Sequence, residues 1–310
     1  MVALGAGNPA DLAARIDALR RERRAVILAH NYQRPEVQDV ADIVGDSLAM
    51  AREAARVDAD VIVLCGVRFM AETAKLLNPD RPVLMPDPNA GCPMADMAVP
   101  REVADAKRRH PEAVVVTYVN SSAEVKALSD ICCTSANAVR VVGSIPADRP
   151  ILFVPDASLG EYVADVTGRP NIILWPGFCP THHRILAEHV QARRAEYPGA
   201  EVLVHPECTR DVRAMADFIG STGQIIRRVA ESPKRTFVIA TEFGVCHTLR
   251  RAHPDKQIIQ ISGVADCPNM KLNTLEKIAW SLEDMEHEVH VPADVAGPAR
   301  RAIERMLEVS

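Results

Sequence analysis

Three Cys-Pro dipeptides, Cys92-Pro93, Cys179-Pro180 and Cys267-Pro268, stand 87 and 88 residues apart in a chain of 310. The other five cysteines, Cys65, Cys132, Cys133, Cys208 and Cys246, are not followed by proline. Two more sets of landmarks keep the same step. His30-Asn31-Tyr32, Tyr118-Val119-Asn120 and His205-Pro206-Glu207 lie 88 and 87 residues apart, as do Ser47, Ser135 and Thr222. Self-similarity at a fixed period signals a unit built several times. Three copies about a rough threefold axis would aim one thiol each at a shared centre.

Each unit parses into four strand-helix steps. The runs VILAH, DIVG, VIVLC and PVLM make up the first unit, and AVVVTYV, ICC, ILFVP and NIILW the second. EVLVH, DFIG, RTFVIA and KQIIQI make up the third, with helices starting near Thr209, Ser221 and Gly244. Short β-branched runs alternating with amphipathic stretches predict parallel sheets covered on both faces. The expected fold is therefore α/β, with three αβα domains, four-stranded parallel sheets and a site at the centre. The divisions are 1–110 with an N-terminal helix, 111–198, 199–273, and a tail over 274–310. LEKIAWSLED and ARRAIERMLEV in that tail read as helices joined by a loop around Pro292, both packing on the first domain. All the landmarks fall at carboxyl ends of strands, where ligands gather in such sheets.

A net charge of −5 without a dense basic run excludes nucleic acid as an expected partner. The cluster Arg20, Arg21, Arg23 and Arg24 reads as a solvated helix end. No uninterrupted apolar stretch approaches 18 residues and no secretory pattern opens the chain, so a cytoplasmic protein without membrane contact is expected. In that compartment eight cysteines point to metal ligation rather than to a disulfide framework.

A single Cys in a parallel α/β protein is ordinarily a small buried apolar residue, and that reading suits the five cysteines outside the frame. For Cys92, Cys179 and Cys267 the register reverses it. Proline fixes its own backbone angle and keeps the preceding Cys extended. Three thiolates without a fourth in frame suit a [4Fe–4S] cluster with one open iron. Zinc held by the same thiolates and a water, in a lyase or hydrolase, is the alternative.

Ser47, Ser135, Ser221 and Thr222 stand where strands hand over to helices. They are N-cap candidates whose helix ends suit a carboxylate or phosphate. Tyr32 and Tyr118 fall at first-strand tips, and His30 and His205 hold equivalent places facing the centre. Glu207 is the one carboxylate expected in that layer, suited to acid-base work. His182, His183, His189, His253, His287 and His290 read as surface or helix residues.

The segments AHNYQRPEVQDVAD with GDSL, YVN, VHPE, GST, WPGFCPTH and ISGVADCPNMKLNTLEKIAWSLE resemble the quinolinate synthase family from about Arg24 onward. The resemblance implies a transferase of NAD biosynthesis that condenses iminoaspartate with dihydroxyacetone phosphate, releasing phosphate and water. It implies three αβα domains about a pseudo-threefold axis and a central [4Fe–4S] cluster on Cys92, Cys179 and Cys267. His30, Ser47, Tyr118, Asn120, Ser135, His205, Glu207 and Thr222 would form the iminoaspartate pocket, with Ser221 beside it. Tyr32 would be the acid-base residue near the open iron, working with Glu207 and His205. Transient contact with the imine-producing enzyme is a further implied partner. Where some members carry C-x-x-C-x-x-C at the third ligand, this chain has Cys267-Pro268-Asn269-Met270, which leaves the ligand count intact.

Overall fold

The apolar runs close into twelve strands in three sheets. In the computed structural model, which describes residues 8–309, the first sheet holds β1 (Ala25–His30), β2 (Ile43–Gly45), β3 (Val61–Cys65) and β4 (Val83–Leu84). The second holds β5 (Val114–Tyr118), β6 (Ile131–Cys133), β7 (Ile151–Val154) and β8 (Ile172–Leu174). The third holds β9 (Glu201–Val204), β10 (Phe218–Ile219), β11 (Thr236–Ala240) and β12 (Gln257–Gln260). Each sheet runs second-first-third-fourth, β2-β1-β3-β4 and its two equivalents, and all pairs are parallel. The α/β fold of three four-stranded units stands as expected. Residues 1–7 and 310, which fall within the outermost predicted divisions, lie outside the described residues.

Parallel strands covered on both faces read as continuous apolar runs, and β3 (VIVLC) and β7 (ILFV) are buried at every position. Ile62, Phe153 and Phe237, among others, join one large core cluster, and burying each such side chain stabilises the fold by roughly 1.5–3 kcal/mol.

The triplication reaches individual hydrogen bonds. Asp42, Asp130 and Asp217 open the second strand of their units, 88 and 87 residues apart. In each, one carboxylate oxygen accepts from the first strand at 2.8 Å: from Ile27 N, Val115 N and Val202 N. The backbone N–H of each donates back to Ile27 O, Val115 O and Val202 O. Replacing Asp130 by Ala leaves the buried Val115 N–H without its acceptor. We expect a loss of about 1–3 kcal/mol, read as a lower urea midpoint at unchanged slope; an unaltered midpoint would deny this bond a structural role.

The tail departs from expectation in two respects. Helix Leu275–Asp284 lies on helix Pro9–Glu22 and β3 of the first unit. Helix Ala293–Val309 packs chiefly on helix Ala123–Ala127 and β6 of the second unit, and less on helix Arg68–Leu77 of the first. Its buried stripe of Ala299, Ala302, Ile303 and Met306 therefore bridges two units, and Arg305 Nη1 donates to Asp130 O at 2.7 Å. It also starts six residues before the predicted ARRAIERMLEV, running through Gly297-Pro298, a pair that reads as a break in sequence. Among the described residues no helix is long and apolar enough to cross a membrane.

Candidate active site

The carboxyl ends of the three sheets meet at a cavity lined from all three units. About 110 Å³ of it is open to the centres of water molecules, room for several waters or a small ligand. Cys92, Cys179 and Cys267 all line it, as do His30, Tyr32, Ser47, Tyr118, Asn120, Ser135, His205, Glu207 and Thr222. Ser221 lies fully buried beside Thr222.

Two of the three Cys-Pro pairs build the same local turn. Cys92 and Cys179 are extended, with Pro93 and Pro180 at the first position of short helices. There the missing proline N–H costs nothing and its fixed φ fits the turn. Cys92 O accepts from Asp96 N and Cys179 O from His183 N, whereas Cys267 leads into a tighter 3-10 turn, its O accepting from Met270 N and more distantly from Lys271 N. All eight cysteines are free thiols. Cys65, Cys132, Cys133, Cys208 and Cys246 are at most 1% exposed within the core, as expected of apolar residues. The three cavity thiols are partly exposed. Burial pushes the Cys92 thiol up to about 12 and raises Cys179 and Cys267 as well, so a cation is needed to draw out their thiolate form.

Above the thiols lie the first-strand tips. His30 Nδ1 accepts from Tyr32 N at 3.2 Å and His205 Nδ1 from Glu207 N at 3.3 Å, the same turn in two units. Burial lowers His30 to about 4 and His205 to about 3. Both imidazoles are therefore neutral at pH 7, with the proton on Nε2. Glu207, 3% exposed, accepts from Tyr118 Oη at 2.5 Å through Oε1 and pairs with His182 Nδ1 at 2.8 Å through Oε2. Burial works against its charge, but the neighbouring imidazole of His182 and the bonds from His182 and Tyr118 outweigh it, holding the carboxyl below its usual range. Burial, then the nearby Glu207 charge, raise both Tyr32 and Tyr118.

Several assignments change. His182, expected at the surface, is 2% exposed. It stacks on His205 with ring centroids 4.6 Å apart, and its Nδ1 stands 3.2 Å from Cys179 Sγ. Donor atoms of Cys179, His182 and Glu207 lie within 4.8 Å of one another, a group able to hold a metal ion. Tyr32 does not bond Glu207: its hydroxyl lies 2.8 Å from Thr222 Oγ1 and 2.7 Å from Thr241 Oγ1. Tyr118 is the tyrosine on the carboxylate. Asp46, at the tip of the second strand, brings a further carboxylate to the same cavity.

Asp46, not Ser47, caps helix Ser47–Ala54, accepting Ala49 N at 3.0 Å. Its second oxygen takes Gly223 N at 3.1 Å and the Ser221 hydroxyl at 3.3 Å, stapling the first unit to the start of helix Thr222–Glu231. Ser221 caps that helix as expected, in a capping box with Gln224, whereas Thr222 is its first residue. Ser135 is not a cap, because Asn137 precedes helix Ala138–Gly143; it bonds the Tyr118 hydroxyl instead. Asn120 Oδ1 is buried without a partner among the described residues, a free acceptor at the cavity. Arg184, exposed on the Cys179 segment, adds a guanidinium to the lining.

The profile described as quinolinate synthetase A protein matches residues 14–308. A quinolinate synthase of Dehalococcoides mccartyi (strain CBDB1) is 52% identical over 295 residues, 95% of this chain and 97% of that protein. That of Thermus thermophilus is 52% identical over 303 residues, 96% and 97% of the two chains. That of Trichormus variabilis is 48% identical over 309 residues, covering 98% and 95%.

Proposed function

The chain belongs to the quinolinate synthetase A family, and from that membership we propose how its residues divide the work of making quinolinate from iminoaspartate and dihydroxyacetone phosphate. Cys92, Cys179 and Cys267 would hold a [4Fe–4S] cluster. One soft donor from each unit lines the cavity, and thiolates suit iron-sulfur chemistry. When bound, such a cluster supplies an iron with no protein ligand, a Lewis acid for a substrate oxygen. Everything else falls to side chains. The neutral imidazoles of His30 and His205, whose Nδ1 atoms already accept main-chain N–H groups, keep Nε2–H for a substrate carboxylate. Asn120 Oδ1 accepts from the imine or a hydroxyl. Ser47 and Thr222, each at a helix start, take the remaining carboxylate and phosphate oxygens, while Ser135 holds the Tyr118 hydroxyl beside them. Glu207 takes and returns protons and Tyr32 assists at the substrate. Bringing both substrates into one enclosed cavity turns a bimolecular condensation into a positioned one. The units 1–110, 111–198 and 199–273 act as domains, each giving one thiol and one strand-tip group, with 274–310 as the tail.

The convergence of three Cys-Pro turns and Glu207 on one cavity carries this reading. Protein purified without oxygen is expected to hold about four irons with matching sulfide, and to form quinolinate from the two substrates. A zinc reading draws on Cys179, His182 and Glu207, whose donors already stand close together. It would occupy the proposed base as a ligand. An active preparation with stoichiometric zinc and no iron would establish it and overturn the cluster.

A further inference from the structure

A buried row of hydroxyls joins the two acid-base groups that the site keeps apart. Thr241 follows β11 and is 0% exposed. Its Oγ1 lies 2.7 Å from Tyr32 Oη and 2.9 Å from His182 Nε2. Among the described residues it is the side chain that bonds both. The row runs from Thr222 through Tyr32, Thr241 and His182 to Glu207, drawing on all three units.

Tyr32 Oη thus sits between two hydroxyls, Thr222 Oγ1 at 2.8 Å and Thr241 Oγ1 at 2.7 Å, and Thr241 links it onward to the imidazole of His182. A threonine hydroxyl both donates and accepts, so it can hold both neighbours at once.

We propose that Thr241 is a positioning residue that holds the Tyr32 phenol in its place at the cavity. Its hydroxyl lies 2.7 Å from Tyr32 Oη and anchors it to the imidazole of His182 behind. Without that hydroxyl the phenol keeps Thr222 as its one bonded side chain among the described residues and loses its fixed orientation toward the substrate. The inference rests on the proposed role of Tyr32 in quinolinate formation and adds the group that orients it.

Thr241→Val keeps the shape and removes the hydroxyl. In anaerobic assays kcat is expected to fall about 10- to 100-fold, as misplacing a reacting group does, with KM within about threefold and iron content unchanged. Thr241→Ser should restore kcat to within about threefold of the parent. Because Thr241 acts through Tyr32, Thr241→Val should cost almost nothing further in a Tyr32→Phe background. A Thr241→Val enzyme with parental kcat overturns the proposal, as does a serine variant no better than valine or a full additional loss on top of Tyr32→Phe. Should valine prevent iron loading, Thr241→Ala takes its place. If both lose iron in step with turnover, Thr241 is a packing residue and the proposal falls. Failure here with Glu207→Gln still inactive would remove only the role of Thr241. An inactive parent protein would remove the functional reading itself.

Discussion

Cys92→Ala, Cys179→Ala and Cys267→Ala are each expected to lose iron and quinolinate formation together, with turnover at the assay background. Each change removes one of three soft donors from a site that offers no fourth cysteine, since the other five thiols are sealed in the core. Two thiolates do not hold a four-iron cluster against chelation, and without it no Lewis acid remains at the cavity. The fold should survive. The three residues are only partly buried at the wall of the cavity, and Ala fits the same backbone. Cys208→Ala is the contrasting case. It deletes a sulfur from the third unit's core and costs stability of about 1 kcal/mol, while iron and activity persist. Iron, sulfide and turnover measured on all four variants decide the matter. Four irons retained in any of the first three would refute the ligand set, and loss in Cys208→Ala would show that iron loading reports packing instead.

What the sequence made legible was whatever repeats. Strands such as VIVLC and ILFV are buried on both faces, so hydrophobic continuity alone locates them. The period then aligns three strand tips and three thiols without any knowledge of the sheets. The same period hid what occurs once. His182 stands three residues after Cys179, where the other units have Ala95 and Met270, so a frame-based reading had no reason to separate it from surface histidines. A signal was nonetheless present: a Cys-Pro-Thr-His run places a nitrogen one helical turn from a thiol. Thr241 leaves no local mark at all, because its two partners come from other units. The cap assignments slipped by one residue for a different reason. Ser47, Ser135 and Thr222 are in frame, yet so are Asp46, Thr134 and Ser221 just before them, and it is Asp46 and Ser221 that cap. Either row supplies plausible caps, and only main-chain geometry chooses between them. In the tail, Gly297-Pro298 concealed six residues of helix, because burial against the second unit outweighs the local breaking tendency.

Glu207→Gln is expected to keep the full complement of iron and the fold while kcat drops by about 10²- to 10⁴-fold, the range of a lost general acid-base group. The amide matches the carboxylate in shape, so the main-chain turn that seats it on His205 Nδ1 is undisturbed. Its chemistry does not match. The carboxylate takes Tyr118 Oη on one oxygen and His182 on the other, and an amide can accept on only one side. If its oxygen stays on Tyr118, its NH2 confronts His182 Nδ1 in place of a carboxylate oxygen, and the contact to the imidazole is weakened. The variant thus removes the proton acceptor and one of its two anchors, so Glu207→Asp is the informative companion. A shorter carboxylate restores charge and acceptor capacity and should recover part of the lost kcat, with KM for either substrate little altered. Turnover within twofold of the parent in Glu207→Gln would dismiss Glu207 as the proton acceptor. A loss that follows iron content would instead make it a structural neighbour of the cysteine ligands.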